Sequence, residues 1–311
     1  MYIEHKINWG EYMRNLINYF YQLEPKDIHK YEHFYTFEIN GENYRLQEVY
    51  DININQAYNT SISLYQIGFY THQIMETIAK QYIVNFNKKN YVLIKYYGEY
   101  RNNIDISLIK NIQISEKYLD RNKITNNSNW GILWSKKIDY FEYQMNQFGI
   151  KYPLIRESFS YYLGLAEVGI ALFNNYYEEN QNLYLAHKRI KSSSSEYELY
   201  DPFNLVLDLR VRDIAEYFKS EYIENNNIFE DIKKYLDENL SNYEKIMFFI
   251  RMFYPSFYFD IYEKIIDLEL EEGKIKEIIE KSSQYDLLLK EIYNYLLMSI
   301  NLPYISWLRN V

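Results

Sequence analysis

The residues best suited by type to do chemistry fall in a short stretch near the middle of the chain. An apolar run, Leu183-Tyr184-Leu185-Ala186, leads into His187-Lys188-Arg189; Asp201 stands before Pro202, Asp208 lies further on, and Arg212-Asp213 opens an amphipathic stretch. A histidine beside carboxylates is the material of acid–base work, and carboxylates can hold a hard cation. Lys188 and Arg189 cannot accept a proton near neutral pH, because both remain charged. Asp201 also reads as a turn residue before proline, and Asp208 as a helix-capping or solvated carboxylate. His29 and His33 have a spacing that can bind metal on a helix, but their segment runs into a strand and no third ligand accompanies them. Glu157 and Glu167 flank an aromatic helix carrying Tyr161 and Tyr162 and read as solvated or paired. No Ser-His-Asp order, P-loop or dinucleotide fingerprint is present.

The elements that must position these groups come from an ordinary globular composition. The 311 residues are 48% hydrophobic and 25% charged, which suits two domains or lobes with a sizeable core. Net charge is −9 with no long basic run, which argues against nucleic-acid partners. No window reaches the roughly 18 consecutive apolar residues that span a bilayer. Met1 to His5 lack the features of a signal peptide, and there is no Cys to form disulfides or thiolate sites, so the expected place of synthesis is the cytoplasm. The 38 Tyr, 17 Phe and 4 Trp are partly the codon bias of an AT-rich genome. Tyrosine exposed in surplus would favour interfaces.

Only 9 Gly and 5 Pro punctuate the chain, so helices should dominate. Residues 1–98 read as a mixed lobe: strand 33–39, a turn at Asn40-Gly41-Glu42-Asn43, strand 44–49, a helix over 61–84 and a strand over 91–95. Residues 99–311 read as a mainly helical lobe, with helices over 104–119, 130–147, 153–175, 211–224, 228–239, 243–253, 257–268, 274–281 and 285–299. One strand pair, 183–186 with 196–200, interrupts it and forms a short hairpin around His187. The fold class is α+β, with a small mixed lobe feeding a larger helical one.

Four segments carry a resemblance. Leu133-Trp134-Ser135-Lys136-Lys137-Ile138-Asp139, Glu157-Ser158-Phe159-Ser160-Tyr161-Tyr162-Leu163-Gly164-Leu165-Ala166-Glu167, Arg212-Asp213-Ile214-Ala215-Glu216-Tyr217 and Phe253-Tyr254-Pro255-Ser256-Phe257-Tyr258-Phe259-Asp260 resemble the spore-coat kinase-like family of endospore formers, the CotS/YutH type. That resemblance implies a protein-kinase-like, aminoglycoside-phosphotransferase-like two-lobe fold and association with the spore coat on its mother-cell side, with other spore-coat proteins as partners.

Phosphoryl transfer needs a lysine on the nucleotide phosphates, carboxylates on the metal and an Asp that orients the acceptor hydroxyl. In the order that the resemblance implies, Gln47 takes the place of the lysine, and Arg45, two residues earlier on the same strand face, is the cation that could stand in for it. Lys188-Arg189 stands where Gly-Asp belongs, and Ser193, Ser194 or Ser195 where the metal-binding Asn belongs. Asp201 is the first candidate metal ligand and Asp208 the second. Asp213, paired with Arg210 or Arg212, and His187 take structural parts in holding the loop.

Three expectations follow. The leading one is a catalytically inactive kinase-like protein of the spore coat or its assembly, acting by protein interaction without a cofactor. The second is an active small-molecule phosphotransferase using ATP and Mg with Asp201 or Asp208. The third is a nucleotide- or metabolite-binding module without transfer.

Overall fold

The computed structural model describes residues 9–31, 34–49, 54–97, 103–224 and 227–309. His33, expected to begin a strand and to pair with His29, lies outside them, as does Gly98 at the expected lobe boundary. The described chain forms two compact units. The first contains the residues up to 97 together with 118–125 and 195–205; the second contains 103–117, 126–194 and the residues from 206 on. The single boundary at residue 98 therefore gives way to a first unit that recruits two later segments.

In the first unit, α1 (Trp9–Tyr21) precedes β1 (His29–Lys30), β2 (Phe34–Ile39), β3 (Glu42–Glu48), α2 (Ile54–Gln66), β4 (Gln73–Ile74), β5 (Val84–Phe86) and β6 (Lys89–Tyr96). The sheet runs β1-β2-β3-β6-β4, with β5 also on β6, and every pair is antiparallel. Asn40 and Gly41 both have positive φ, 53° and 78°, as a two-residue hairpin turn between right-twisted strands requires. Strand alternation sends Tyr44 and Leu46 to one face, where they pack with Met13, Leu16 and Ile17 of α1. The opposite face carries Val92 and Ile94 against Ile54 and Ala57 of α2, and Arg45 and Gln47 pair with these two strand positions. The helix expected over 61–84 is instead α2, which ends before Gly68 (φ 79°), followed by two short strands. Glycine in the left-handed region stops a helix at its C-terminus, and residues beyond it are free to join the sheet.

The second unit begins with α3 (Ile106–Ile112), α4 (Trp130–Phe148) and α5 (Pro153–Tyr176). It continues with β7 (Tyr184–His187) and, beyond α6 (Glu196–Tyr200) of the first unit, β8 (Leu205–Asp208). It closes with α7 (Arg212–Glu224), α8 (Phe229–Leu236), α9 (Asn242–Phe253), α10 (Ser256–Ile266), α11 (Lys276–Glu280) and α12 (Ser282–Leu297). The expected hairpin partner of β7 is corrected: residues 196–200 are helical, and β7 pairs with β8. Ser195 and Glu198 explain the helix, since the Glu198 carboxylate accepts the Ser195 N–H at 2.8 Å across the first turn.

The core of this unit is aromatic. Trp134 stacks on Tyr254 with ring centres 4.4 Å apart, and Tyr162 stacks on Tyr258 at 3.8 Å. Buried tyrosines reach backbone acceptors with their hydroxyls, Tyr162 donating to Ile278 O at 3.0 Å and Tyr285 to Met252 O at 2.6 Å. Part of the tyrosine is thus placed in the core, where an apolar ring can be buried and the polar tip paired with a backbone carbonyl. Among the described residues, no helix is long and apolar enough to cross a membrane.

Candidate functional site

The site grows from the ends of β7 and β8. All four residues of β8 are buried, so the strand delivers Asp208 into the interior. His187 closes β7, and Arg212-Asp213 starts α7 beside both strand ends. His187 Nδ1 lies 2.6 Å from Asp213 Oδ2, and the His187 N–H donates to Asp213 Oδ1 at 3.2 Å. Arg212 ties three groups together: Nη1 is 2.8 Å from Asp213 Oδ1, Nε is 3.1 Å from Asp208 Oδ2, and Nη2 donates to Lys188 O at 2.5 Å. Asp208 Oδ1 accepts from Trp130 Nε1 and from the Leu209 N–H, both at 2.7 Å. Arg210, a candidate partner of Asp213, pairs instead with Glu244 at 3.4 Å.

A second charged cluster adjoins the first. Glu216 Oε1 is 2.7 Å from both Lys219 Nζ and Arg251 Nε, and Glu216 Oε2 accepts from the Ser256 hydroxyl at 2.6 Å. Lys219 also donates to Arg251 O at 3.2 Å and Tyr254 O at 3.0 Å. Together these residues line a cavity of about 560 Å³, walled by Trp130, Trp134, Tyr254 and Phe257 and rimmed by Lys188, Arg189 and Lys191.

Burial and neighbouring charge compete at each ionisable group. At Asp208 burial wins, and the carboxyl is pushed up to about 6 although Arg212 and Arg251 oppose it. At Asp213 burial acts in the same direction, but His187 and Arg212 reverse it and hold the carboxyl below its ordinary range. Glu216 is likewise held low against its burial, by Lys219, Arg251 and Arg212. Burial draws Lys219 down to about 8 despite Glu216.

Of the residues singled out by sequence, His187, Lys188, Asp208, Arg212 and Asp213 meet here. Asp201 does not end a strand: it caps the C-terminus of α6 in the first unit, and its Oδ1 accepts the Phe203 N–H at 3.0 Å. Ser194 Oγ accepts the Lys191 N–H at 3.2 Å, so it closes the loop on itself. Arg45 and Gln47 belong to the first unit. The Arg45 guanidinium lies 3.7 Å from the ring centre of Phe34 and 4.5 Å from that of Tyr197. His72, fully buried, stacks on Tyr197 at 4.2 Å and sets its Nε2 2.9 Å from Tyr197 O. The sheet face carrying Arg45 and Gln47 is therefore covered by the chain's own aromatic side chain. Sequence reasoning missed His72, Tyr197, Trp130, Lys219 and Arg251. Only Lys219 left a local trace, three residues after Glu216 on one helix face.

The donor set does not suit a nucleotide-bound Mg²⁺. Both oxygens of Asp208 are engaged, one by a guanidinium, and a hard cation placed there would face Arg212. Among the described residues, no group of three or more His, Asp or Glu could hold a metal ion.

An antiparallel sheet unit, a mainly helical unit and a paired β7 and β8 around a His-containing loop define a kinase-like protein of the aminoglycoside phosphotransferase fold. The chain resembles an aminoglycoside phosphotransferase from Alicyclobacillus acidocaldarius, with a TM-score of 0.59 and 11% identity over 89% of this chain and 94% of that one. It also resembles spectinomycin phosphotransferase APH(9)-Ia in its AMP-bound form, with a TM-score of 0.55 and 11% identity over 91% and 98%. Residues 14–292 match the family described as "Spore coat putative kinase YutH", and the chain belongs to that family. A curated relative, the endospore coat-associated protein YutH of Bacillus subtilis (strain 168), is 27% identical over 207 residues, which cover 58% of this chain and 61% of that protein.

Proposed function

We propose that this chain is a catalytically inactive kinase-like protein that associates with the bacterial spore coat and acts by binding other coat proteins. The observation that carries the reading is the state of the strand-end carboxylate. Asp208 is locked between Arg212 and the Trp130 indole, while Lys188 and Arg189 stand where a proton acceptor is needed. Transfer to a hydroxyl draws its rate from a positioned base and a metal-neutralised phosphate. This loop offers positive charge for the first and an occupied carboxylate for the second.

The coat association rests on the family and on the name of the Bacillus relative. The interaction role draws support from an exposed apolar stripe on α4, where Ile132, Tyr140 and Tyr143 are each more than half exposed.

Thermal unfolding of the purified chain with ATP and Mg²⁺ tests the chemistry, since a ligand at a hundred times its Kd stabilises by about 2.7 kcal/mol. The expected result is no shift, and no ATP consumption with sugar or amino-alcohol acceptors. A shift and a turnover that Asp208→Ala both abolishes would restore the enzyme. The location is tested by fractionating sporulating cells, where recovery from vegetative cytosol alone, never with spores, would refute it.

A further inference from the structure

We infer that the exposed ridge of α4 docks a second copy of this chain, the two helices packing antiparallel about a two-fold axis. The inference rests on the interaction role proposed above and names the partner of its exposed helix. α4 buries Trp134, Ile138 and Phe141 in the core and turns Ile132, Lys136, Asp139 and Tyr143 outward. Their spacing of four, three and four residues keeps these side chains on one narrow stripe, as in the seam between two paired helices. Ile132 is 55% exposed and Tyr143 62%, so each end of the stripe offers a large apolar group to a partner.

The order of side chains along the stripe decides what fits it. It reads apolar, basic, acidic, apolar, and the same stripe laid against itself in reverse is its complement. With the axis between Lys137 and Ile138, Ile132 meets Tyr143 of the second copy and Lys136 meets its Asp139. Two apolar pairs then flank two ion pairs, since two-fold symmetry makes each contact twice. A parallel pairing would instead set Lys136 on Lys136 and Asp139 on Asp139. Both charges are available for the purpose. Among the described residues neither has an ion-pair partner within the chain, whereas the adjacent Lys137 is held by Glu263 of α10 at 3.3 Å. Exposed ion pairs add little affinity, so the apolar ends supply the attraction and the charges fix direction and register.

Sedimentation equilibrium of the full chain should show a monomer of 38.2 kDa in reversible exchange with a dimer, with a Kd below about 100 µM. Tyr143→Ser, Lys136→Glu and Asp139→Lys should each weaken the dimer about tenfold or more. None should lower the melting temperature, because all three side chains project into water. The decisive sample mixes Lys136→Glu with Asp139→Lys: opposite charges face each other at both pairs only in the mixed dimer, so association should return to within about threefold of wild type. A chain that stays monomeric up to about 100 µM, a dimer indifferent to these substitutions, or a mixture that associates no better than either variant alone would each overturn the assignment. A monomer still recovered with spores would remove this inference and leave the coat role standing. A dimer that turned over ATP would remove the proposed inactivity and leave this interface, so the two fail separately.

Discussion

A carboxylate sealed from water stays ionised only when its neighbours compensate for the lost hydration, and Asp213 is held by three such contacts: the His187 imidazole, the His187 N–H and the Arg212 guanidinium. Asp213→Ala removes the acceptor for His187 and leaves Arg212 with Asp208 and the Lys188 carbonyl. The expected loss is about 3–5 kcal/mol in urea unfolding, the cost of breaking a buried pair from one side. A loss under about 1 kcal/mol would mean that the loop is held by other contacts. Arg212 and Asp213 were legible as a pair because they are adjacent in the chain and open a helix. Trp130, Lys219 and Arg251 were not, because they arrive from α4, α7 and α9 and no spacing in the sequence joins them. Asp201 and Asp208 could not be told apart for a related reason: which of them ends a strand depends on whether residues 196–200 are helical, and only Asp208 ends one.

Glu196 to Tyr200 alternates in polarity like a strand, yet Ser195 and Glu198 frame a helical first turn, and the reciprocal cap outweighs an alternation only five residues long. The signal was present in the sequence and was overridden. The helix α1 left a plain mark too, since Met13, Leu16, Ile17 and Phe20 recur at helical spacing and pack on the sheet. The long helices α4, α5, α7 and α9 were legible to within a residue or two, because their periodicity extends over three turns or more. At α9 the same cap as in α6 is fully formed. The Glu244 N–H donates to Ser241 Oγ at 3.2 Å, and Glu244 Oε2 accepts the Ser241 N–H at 2.8 Å. Ser241→Ala should therefore cost about 1 kcal/mol, a fall of about 2–4 °C in Tm by calorimetry, whereas Ser241→Asp should keep most of it. Equal melting of wild type and Ser241→Ala would show that packing alone ends α9.

For the whole molecule, acid is the revealing condition, because charged groups buried in the two units respond to it with opposite signs. His72 is neutral in the fold: burial and, to a lesser degree, Arg45 draw its pKa from 6.5 to about 4, against the Tyr197 carbonyl. Tyr96, Tyr197 and Tyr200 surround it, and among the described residues none of the charges acting on it is a carboxylate that would stabilise an imidazolium. Below pH 6.5 the unfolded chain takes up a proton that the folded chain refuses, so this contribution is complete above about 6.5 and declines toward pH 4. Asp208 runs the other way. Its folded pKa of about 6 lies above the ordinary 3.8, so its contribution is full at low pH and lost as pH rises through 6. The two nearly cancel between pH 6 and 4, and the wild-type curve alone conceals both. Net charge also shrinks toward zero near the isoelectric point of 5.3, which relaxes self-repulsion over the same interval. The informative quantity is thus a difference. His72→Gln keeps a hydrogen-bonding side chain without a titrating ring, and its stability relative to wild type should rise by about 2–3 kcal/mol between pH 7 and 4.5 in urea unfolding. Asp208→Asn should show the reverse drift over that range. A pH-independent difference for His72→Gln would mean that the imidazole takes up its proton within the fold and that burial does not hold it neutral.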